Sequence, residues 1–521
     1  MQTAKISDLN QNQKPAFRNF EVSLQTMNQE EFSTILLRHF PFETTNGQRV
    51  LLDKLSEFIL GKNSLQIFVI KGYAGTGKTT IVRSLVQSLP SVNGKTMLLA
   101  PTGRAAKVLS NYTKQQAFTI HKKIYFRKPT FDGGMAFQRQ PNLHNNTVFI
   151  IDEASMISNS GGLSDGGLFG GGSLLDDLIQ YVFSGTNCKL IFIGDTAQLP
   201  PVGLDVSPAL DIEYLKASFY FPIDSFELTE VVRQTENSGI LTNATNIRNQ
   251  INSFVKNFEN DELNASNPLS KGEFNKNKPH FSLSKFTDII RIDGSDLEDA
   301  LNSAHNEYGA EDSMVICRSN KRANIFNQQI RARIRWQEDE LSSGDYMMVV
   351  KNNYFWLPDE SKAGFIANGD IIQLLRVGNI QEMHGFRFAD VRMRMIDYPD
   401  EPELETRLLL DTIMIESPAL SQTDNKKLYD SVLLDYSDIP DRRLRLKKIK
   451  EDGFFNALQV KFAYAVTCHK AQGGQWPCVF VEQGYLTDEM INKEYLRWLY
   501  TAVSRATKKL YLVNFNKEFF E

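Results

Sequence analysis

One segment of the sequence has the residue types and spacing of a phosphate-binding loop. Gly72 to Thr79 reads GYAGTGKT, follows the apolar run LQIFVIK and precedes the helix-like stretch TIVRSLVQSL. Glycines let backbone N–H groups turn toward phosphate oxygens, and the N-terminus of a helix favours anionic charge. A Gly-rich turn that arose by chance is the alternative, and the flanking strand and helix argue against it. The residues expected to contact a nucleotide are Gly72, Gly75, Thr76, Gly77, Lys78, Thr79 and Thr80.

Within this loop two side chains have distinct expected roles. Lys78 is expected to hold the β- and γ-phosphates of ATP, and the hydroxyl of Thr79 to bind Mg²⁺. Downstream, Asp152 and Glu153 follow the apolar run VFII. Adjacent carboxylates after a buried strand are costly unless a cation or a water uses them. Asp152 is therefore the expected Mg²⁺ partner and Glu153 the group that orients and deprotonates the attacking water, with a helix N-cap as the alternative.

Hydrolysis also needs positive charge at the terminal phosphate, and the loop supplies only one cation. Arg233 in LTEVVRQ and Arg505 in LYTAVSRATKK are the candidates, each worth about 10³-fold or more in rate; a surface ion pair is the alternative for either. Gln198 in GDTAQLPP has an amide that could sense the γ-phosphate. Gln48 in NGQR could read the adenine edge or lie in a solvated turn.

The residues that carry this chemistry follow short apolar, β-branched runs. Runs at 65–70, 96–100, 147–151 and 189–193 predict a parallel sheet with crossover helices, and runs at 314–317, 478–482 and 510–515 predict a second α/β sheet. Ligands bind beyond the carboxyl ends of the strands in such sheets. Because the polar loops begin where the first four strands end, we expect them to meet at one edge.

Three segments read as insertions. Residues 122–146 contain a turn signal, Asp-Gly-Gly, between two possible strands, which predicts a hairpin. Residues 158–173 are rich in glycine and predict a surface loop. Residues 344 to about 452 interrupt the second sheet with strand-like runs, which predicts a small β-domain.

Composition limits the class of protein. A chain of 521 residues with 41% hydrophobic and 23% charged residues is expected to fold as about three globular domains. The formal net charge of −4 argues against a surface coated with positive charge, so nucleic acid would need a local basic groove. Four cysteines without zinc-ligand spacing and no apolar run of membrane-spanning length predict a cytoplasmic protein with no membrane contact and no structural metal.

The order of the motifs resembles superfamily 1B DNA helicases, the group of the phage Dda and bacterial RecD-type enzymes. The likeness runs from about Thr45 to Val513 through the segments NGQR, GYAGTGKTT, APTGRAA, TIH, IIDEAS, GDTAQLPPVG, VVRQ, AVTCHKAQGGQW and LYTAVSRA. The resemblance implies two RecA-like parallel-sheet domains, a β-hairpin pin in the first and a small β-barrel-like insertion in the second. The Gly-rich stretch at 158–173 departs from the family, which continues into a helix there.

The resemblance also implies roles for individual residues. Arg233 and Arg505 would act at the γ-phosphate across the cleft, and Gln472 and Gly474 would lie near both nucleotide and strand. At the hairpin tip, Phe131 or Phe137 would stack on a splayed base or, alternatively, pack the hairpin against its own domain. The implied DNA contacts are Pro101, Thr102, Thr119, His121, Thr467 and His469, with a structural role as the alternative for either histidine.

Together these features predict an ATP-dependent helicase that moves 5′→3′ on single-stranded DNA and separates forked duplexes. It is expected to use ATP and Mg²⁺, to act as a monomer and to meet replication or repair proteins. An ATP-switched nucleic-acid-binding module and the motor subunit of a nuclease complex are the alternatives.

The basic run at 442–450 is either part of the strand path or a solvated helix face. The predicted domains are an N-terminal extension (1–44), a first RecA-like domain (45–235, hairpin 122–146), a second (236–345 and 453–521) and an inserted barrel (346–452).

Overall fold

The first part of the chain forms a parallel sheet with helices on both faces. The computed structural model describes residues 27–63, 65–129, 135–159, 173–232, 238–262, 278–358, 361 and 363–520. The elements of the first part are α1 (Gln29–Arg38), α2 (Asn46–Leu60), β1 (Ile67–Gly72), α3 (Lys78–Ser88), β2 (Lys95–Ala100), α4 (Gly103–Thr113), β3 (Ala117–Thr119), α5 (Ile120–Ile124), β4 (Tyr125–Pro129), β5 (Met135–Arg139), β6 (Asn145–Ile151), α6 (Leu174–Phe183), β7 (Thr186–Gly194), α7 (Ile212–Ser218), β8 (Ile223–Leu228) and α8 (Gly239–Glu262).

The first sheet has the strand order β3-β2-β6-β7-β1-β8, and all its pairs are parallel. One apolar cluster joins the sheet to α1, α2 and α3, and a second joins its other face to α5, α6 and α7. The strands are therefore buried on both faces, which explains why they read as continuous apolar runs. All their carboxyl ends lie at one edge, as predicted.

A hairpin of β4 and β5 occupies the first predicted insertion. The two strands pair in antiparallel register from Tyr125 opposite Arg139 to Pro129 opposite Met135. Phe137 lies in β5 opposite Arg127. Phe131 and the turn itself lie outside the described residues, as does most of the Gly-rich stretch at 158–173. The stacking role of either phenylalanine stays a prediction.

The second part of the chain forms another parallel sheet and a barrel. The sheet order is β16-β10-β17-β18-β9, again with parallel pairs. This confirms the predicted α/β class with two parallel sheets. The elements are β9 (Ile289–Ile292), α9 (Leu297–Tyr308), β10 (Ser313–Cys317), α10 (Asn320–Gln329), β11 (Tyr346–Val349), β12 (Ile371–Met383), β13 (Phe386–Met395), β14 (Leu404–Leu409), α11 (Asp411–Met414), α12 (Gln422–Asp435), α13 (Arg442–Lys450), β15 (Leu458–Phe462), β16 (Ala465–Thr467), α14 (Cys468–Ala471), β17 (Trp476–Glu482), α15 (Lys493–Val503) and β18 (Ala506–Val513).

The inserted barrel is closed by five strands, β11 to β15. Its last strand, β15, pairs antiparallel with β11 and parallel with β14. The predicted insertion ended at 452 and so left this strand out. The physical reason for including it is closure, because without β15 both neighbouring strands would present unpaired backbone groups at an edge. The other domain boundaries stay a prediction.

The two parts of the chain meet at the carboxyl edge of the first sheet. The apolar core of the second part includes Tyr73, Ala197 and Leu199, which belong to loops of the first part. Helices α8 and α15 pack against each other beside these loops. Among the described helices none has the length and apolar content to cross a bilayer.

The barrel also touches the first part of the chain, through a buried acidic group. Gly103, at the start of α4, lies so close to Oδ1 of Asp370 that a Cβ there would clash with it. Oδ2 of Asp370 accepts a hydrogen bond from the Ala367 N–H at 2.7 Å, whereas Oδ1 has no partner among the described residues. Burial, with the nearby carboxylate of Asp397, raises the pKa of Asp370 to about 8.

This raised pKa predicts a pH-dependent stability. Between about pH 4 and pH 8 the folded chain holds a proton on Asp370 that the unfolded chain releases, so the free energy of unfolding should fall as pH rises through this window. The slope from this one group is at most about 1.4 kcal/mol per pH unit. In Asp370→Asn, denaturant unfolding at pH 5 and pH 8 should show a smaller difference than in the wild type. Asp430→Asn, an exposed change on α12, is the control, and an unchanged difference in Asp370→Asn would contradict the assignment.

Candidate active site

The phosphate-binding loop connects β1 to α3. Gly75 and Gly77 have φ of 77° and 84°, values that side-chain-bearing residues rarely adopt, and Gly77 directly precedes the first residue of the helix. The ammonium of Lys78 donates to the carbonyls of Gly72 and Tyr73 at 2.7 and 2.8 Å. The loop thus places a cation and the helix N-terminus on the same side, which is the arrangement needed to bind phosphate.

Gln48 supports this loop from the side. Its backbone N–H bonds the Thr45 hydroxyl, and its Oε1 accepts from the Thr45 N–H at 3.0 Å, which forms the capping box of α2. Its Nε2 donates to the carbonyl of Thr76 at 3.0 Å, and a Cβ added at Gly77 would lie 2.5 Å from this nitrogen. Gln48 is buried, with 1% of its surface exposed, so it does not lie in a solvated turn. Its contact with adenine stays a prediction.

The two carboxylates lie at the end of β6, next to the loop. Oδ1 of Asp152 accepts a hydrogen bond from the Glu153 N–H at 2.9 Å. Glu153 adopts φ 53° and its side chain caps no helix, so the N-cap alternative is not observed. Burial and the Glu153 charge raise the pKa of Asp152 to about 6, while the nearby Lys78 lowers it. A carboxylate in these surroundings is stabilised by a cation.

A tyrosine from the second part of the chain reaches the phosphate-binding loop. The hydroxyl of Tyr500, in α15, donates to Oδ2 of Asp195 at 2.7 Å and accepts from the Ala74 N–H at 2.7 Å. Both Tyr500 and Asp195 are 1% exposed. Burial and the Asp195 carboxylate hold the pKa of the Tyr500 phenol well above its ordinary value. One buried hydroxyl therefore joins the loop after β1, the loop after β7 and the last helix.

Arg505 follows α15 and points into the same site. Its guanidinium donates to the carbonyls of Thr501 and Gly474 at 3.0 and 3.3 Å and to the Ser504 hydroxyl at 2.9 Å. Its Nη1 lies 3.9 Å from Oε1 of Glu153 in the first part. Since only 3% of the side chain is exposed, Arg505 is not a surface ion pair. The Gly474 carbonyl therefore accepts a hydrogen bond from Arg505, and its predicted position near the nucleotide stays a prediction. Arg233 lies outside the described residues, and its role stays a prediction.

Gln198 and Gln472 lie where the two parts meet. Gln198 is 5% exposed, and its Oε1 has no hydrogen-bond partner among the described residues. Nε2 of Gln472 donates to the carbonyl of Leu199 at 2.7 Å, and the Leu199 N–H donates to the Thr501 hydroxyl at 2.9 Å. The loop after β7 is thus bonded on both sides to the second part, and the contact of Gln198 with the γ-phosphate stays a prediction.

One predicted DNA contact, Thr102, lies beside a segment of the second part of the chain. Thr102 follows Pro101 and its hydroxyl caps α4. A Cβ added at Gly473, in the second part, would lie 3.3 Å from this hydroxyl. Nearby, the Arg104 guanidinium lies 4.3 Å from the centre of the Trp476 ring. The segment after β2 and the segment after β16 are therefore neighbours across the interface.

The remaining predicted DNA contacts occupy helix starts. Thr119 caps α5 by accepting from the Lys122 N–H at 3.2 Å, and the His121 ring lies 5.9 Å from that of Tyr125. Thr467 precedes α14 and His469 lies within it. Thr467 and His469 line two different cavities, so they do not form one cluster. All these DNA roles stay predictions.

The basic run at 442–450 is α13. Ile449 is buried against the barrel, while Lys447 and Lys448 are exposed and each lies 3.8 Å from a carboxylate oxygen of Glu451. These exposed, paired lysines agree with the alternative in which the run is a solvated helix face.

Three residues of the site were not singled out from the sequence. Asp195 and Tyr500 lie within quoted motifs, GDTAQLPP and LYTAVSRA, in which only Gln198 and Arg505 received a role. For Asp195 the available signal was a carboxylate directly after the apolar run LIFIG. Arg248, in α8, lies with its guanidinium 4.6 Å from the centre of the Tyr73 ring and is 8% exposed. No sequence pattern marks it, because its contact exists only after the chain folds.

This geometry defines a class of protein, a P-loop ATPase whose site is completed by a second RecA-like domain. Comparison with known proteins agrees. Residues 47–263 match the AAA domain family, and residues 462–513 match the UvrD-like helicase C-terminal domain.

Individual relatives extend the comparison. The ATP-dependent DNA helicase dda of Enterobacteria phage T4 is 32% identical over 212 residues, which are 40% of this chain and 43% of that protein. Protein R530 of Acanthamoeba polyphaga mimivirus is 23% identical over 89% of this chain and 98% of its own length. A crystal structure of Pif1 helicase from Bacteroides with ADP-AlF3 and single-stranded DNA aligns with 92% of this chain and 95% of its own, at 15% identity and a TM-score of 0.45. The chain thus combines an AAA domain with a UvrD-like helicase C-terminal domain, which confirms its resemblance to the superfamily 1B helicases.

Proposed function

We propose that this helicase uses ATP and Mg²⁺ to move 5′→3′ along single-stranded DNA and to separate forked duplexes. The observation that carries the proposal is the set of contacts that Tyr500 of α15 and Arg505, two residues beyond this helix, make with the first domain. Tyr500 bonds both Asp195 and the Ala74 N–H, and Arg505 lies 3.9 Å from Glu153. Hydrolysis and the relative position of the two domains therefore depend on the same contacts.

The side chains divide the chemistry among them. Lys78 binds the β- and γ-phosphates, Glu153 orients the attacking water, and Arg505 neutralises charge on the terminal phosphate. The Thr79 hydroxyl and the Asp152 carboxylate are oxygen ligands of the kind Mg²⁺ prefers. Thr79 follows the phosphate loop after β1 and Asp152 follows β6, so both lie at the carboxyl edge of the first sheet. When bound, Mg²⁺ neutralises and orients the phosphate oxygens.

Closure and opening of the cleft couple this reaction to movement. A terminal phosphate competes with Glu153 for the Arg505 guanidinium, and its loss after hydrolysis removes that partner. The two domains then grip the strand in alternation, a hinge motion with two states. The predicted strand contacts, Thr102 in one domain and His469 in the other, would change their separation in each cycle.

Unwinding of tailed duplexes tests direction and motor activity together. A duplex with a 5′ single-stranded tail should be separated in an ATP-dependent manner, and the same duplex with a 3′ tail should not. A tenfold or larger difference in rate is expected, since a motor with fixed polarity cannot load productively on the wrong tail. Preference for the 3′ tail would contradict the polarity. DNA-stimulated hydrolysis without separation of either duplex would favour the ATP-switched binding module.

A further inference from the structure

A cavity of ligand size lies among the described residues of the second domain and is bounded on one side by Leu199 of the first domain. It has a volume of about 340 Å³ and lies beyond the carboxyl ends of β10 and β16. Its wall includes Arg318, which follows β10, His469 of α14, and Tyr495 and Trp498 of α15. Open parallel sheets bind ligands at this edge, and the residues assigned to nucleotide binding do not line this cavity.

A stacked arrangement forms one wall of the cavity. The rings of Tyr495 and Trp498 stack with centres 5.8 Å apart and planes inclined by 19°. The exposed guanidinium of Arg318 lies over both rings, 5.3 and 5.8 Å from their centres, and donates to the Tyr485 carbonyl at 3.2 Å. Because the aromatic rings cover one face of the guanidinium, its other face is free to stack on a planar ligand.

Polar atoms in the same wall lack partners. Tyr495 and Trp498 are 2% and 7% exposed, and the hydroxyl of one and the indole N–H of the other have no hydrogen-bond partner among the described residues. Buried polar groups of this kind are normally satisfied. Two carboxylates, Glu489 and Glu494, also line the cavity beside the single guanidinium of Arg318, which disfavours a phosphate. An uncharged planar ring with hydrogen-bonding edges fits, and a nucleobase has that chemistry.

The opposite side of α14 is lined by different side chains. A neighbouring cavity there is lined by Lys461 and Lys470 among mostly apolar and amide side chains. The short helix α14 therefore separates a cavity that contains two lysines from the aromatic one. A single strand has the same division, with phosphates along one side and bases along the other.

We propose that the cavity at Arg318 binds one unstacked base of the translocating strand, stacked on the guanidinium, while the adjoining phosphates contact the Lys470 side of α14. The inference rests on the proposed function, because it requires a single strand in this groove. It adds a base contact in the second domain to the strand contacts already predicted.

Equilibrium binding of a fluorescent oligothymidine to the full chain tests the proposal. Arg318→Ala and Arg318→Lys should both weaken binding by about 5- to 100-fold, the range for loss of one stacked base. The salt dependence of binding should not change, because no phosphate contact is lost. Arg333→Ala is the matched control, since Arg333 is an exposed arginine of the same domain that pairs with Glu298 at 3.4 Å and lines neither cavity.

An oligonucleotide of abasic residues separates base contacts from phosphate contacts. The wild type should bind the normal strand more tightly than the abasic strand. In Arg318→Ala this preference should shrink by the same factor by which the variant's affinity for the normal strand falls. Full binding by Arg318→Ala, rescue by Arg318→Lys, or a salt slope reduced by about one would overturn the base pocket. A wild-type chain that binds neither strand would instead overturn the proposed function.

Discussion

Replacing Lys78 by alanine is expected to remove nearly all ATP hydrolysis and unwinding while leaving binding to single-stranded DNA largely intact. The Lys78 ammonium is held over the loop by the carbonyls of Gly72 and Tyr73, at 2.7 and 2.8 Å. It lies near enough to Asp152 to lower the pKa of that carboxylate. Loss of one preorganised charge of this kind typically costs about 10²- to 10³-fold in kcat.

Steady-state hydrolysis at saturating single-stranded DNA measures this loss, and fluorescence anisotropy measures strand binding. Lys54→Ala is the control, because Lys54 is an exposed lysine of the same domain on α2. The assignment of the phosphate loop would be wrong if Lys78→Ala hydrolysed ATP at a rate near that of the wild type. A parallel loss of strand binding would show instead that the variant is misfolded or that the two sites are not separate.

Replacing Arg505 by alanine should lower kcat by about 10³-fold, or about 4 kcal/mol in activation free energy, with a much smaller effect on KM. The guanidinium lies 3.9 Å from Glu153, so it is placed to act on charge that develops at the terminal phosphate. Arg505→Lys keeps the charge but loses the planar fork, and should recover only part of the rate. Single-turnover hydrolysis with bound DNA isolates the chemical step from product release.

Arg497→Ala provides the matched control for Arg505. Arg497 lies on α15 and is 8% exposed, and its Nη1 donates across the interface to the Asp205 carbonyl at 2.6 Å. It contacts the first domain but none of the residues assigned to phosphate chemistry. If Arg497→Ala and Arg505→Ala lost hydrolysis equally, the effect would come from general weakening of the interface. Thermal unfolding of both variants checks that each folds.

Much of the nucleotide site could be predicted because its parts are local. The loop from Gly72 to Thr79 lies between one strand and one helix, and Asp152 and Glu153 directly follow another strand. Parallel strands bring their carboxyl ends to one edge, so these local signals are enough to predict that the side chains meet. The two sheets and the barrel were likewise predicted from apolar runs and from the family resemblance.

The closing strand of the barrel was missed for a physical reason. Leu458–Phe462 is followed almost directly by Ala465–Thr467, which belongs to the parallel sheet. Both are short apolar runs, and the pattern of a run does not specify which neighbour it pairs with. Pairing depends on edges left open by strands far away in the chain, here β11 and β14.

The sequence by itself determined the kind of chemistry, because glycine spacing, a lysine at a helix start and paired carboxylates after a buried strand specify phosphate and Mg²⁺ binding. Only the tertiary structure decided how the second domain completes the site. Tyr500 on Ala74 and Asp195, Arg505 beside Glu153, and Arg248 on the Tyr73 ring are contacts between distant parts of the chain. Such contacts depend on how the two sheets pack against each other, and the spacing of residues within a motif does not predict that packing.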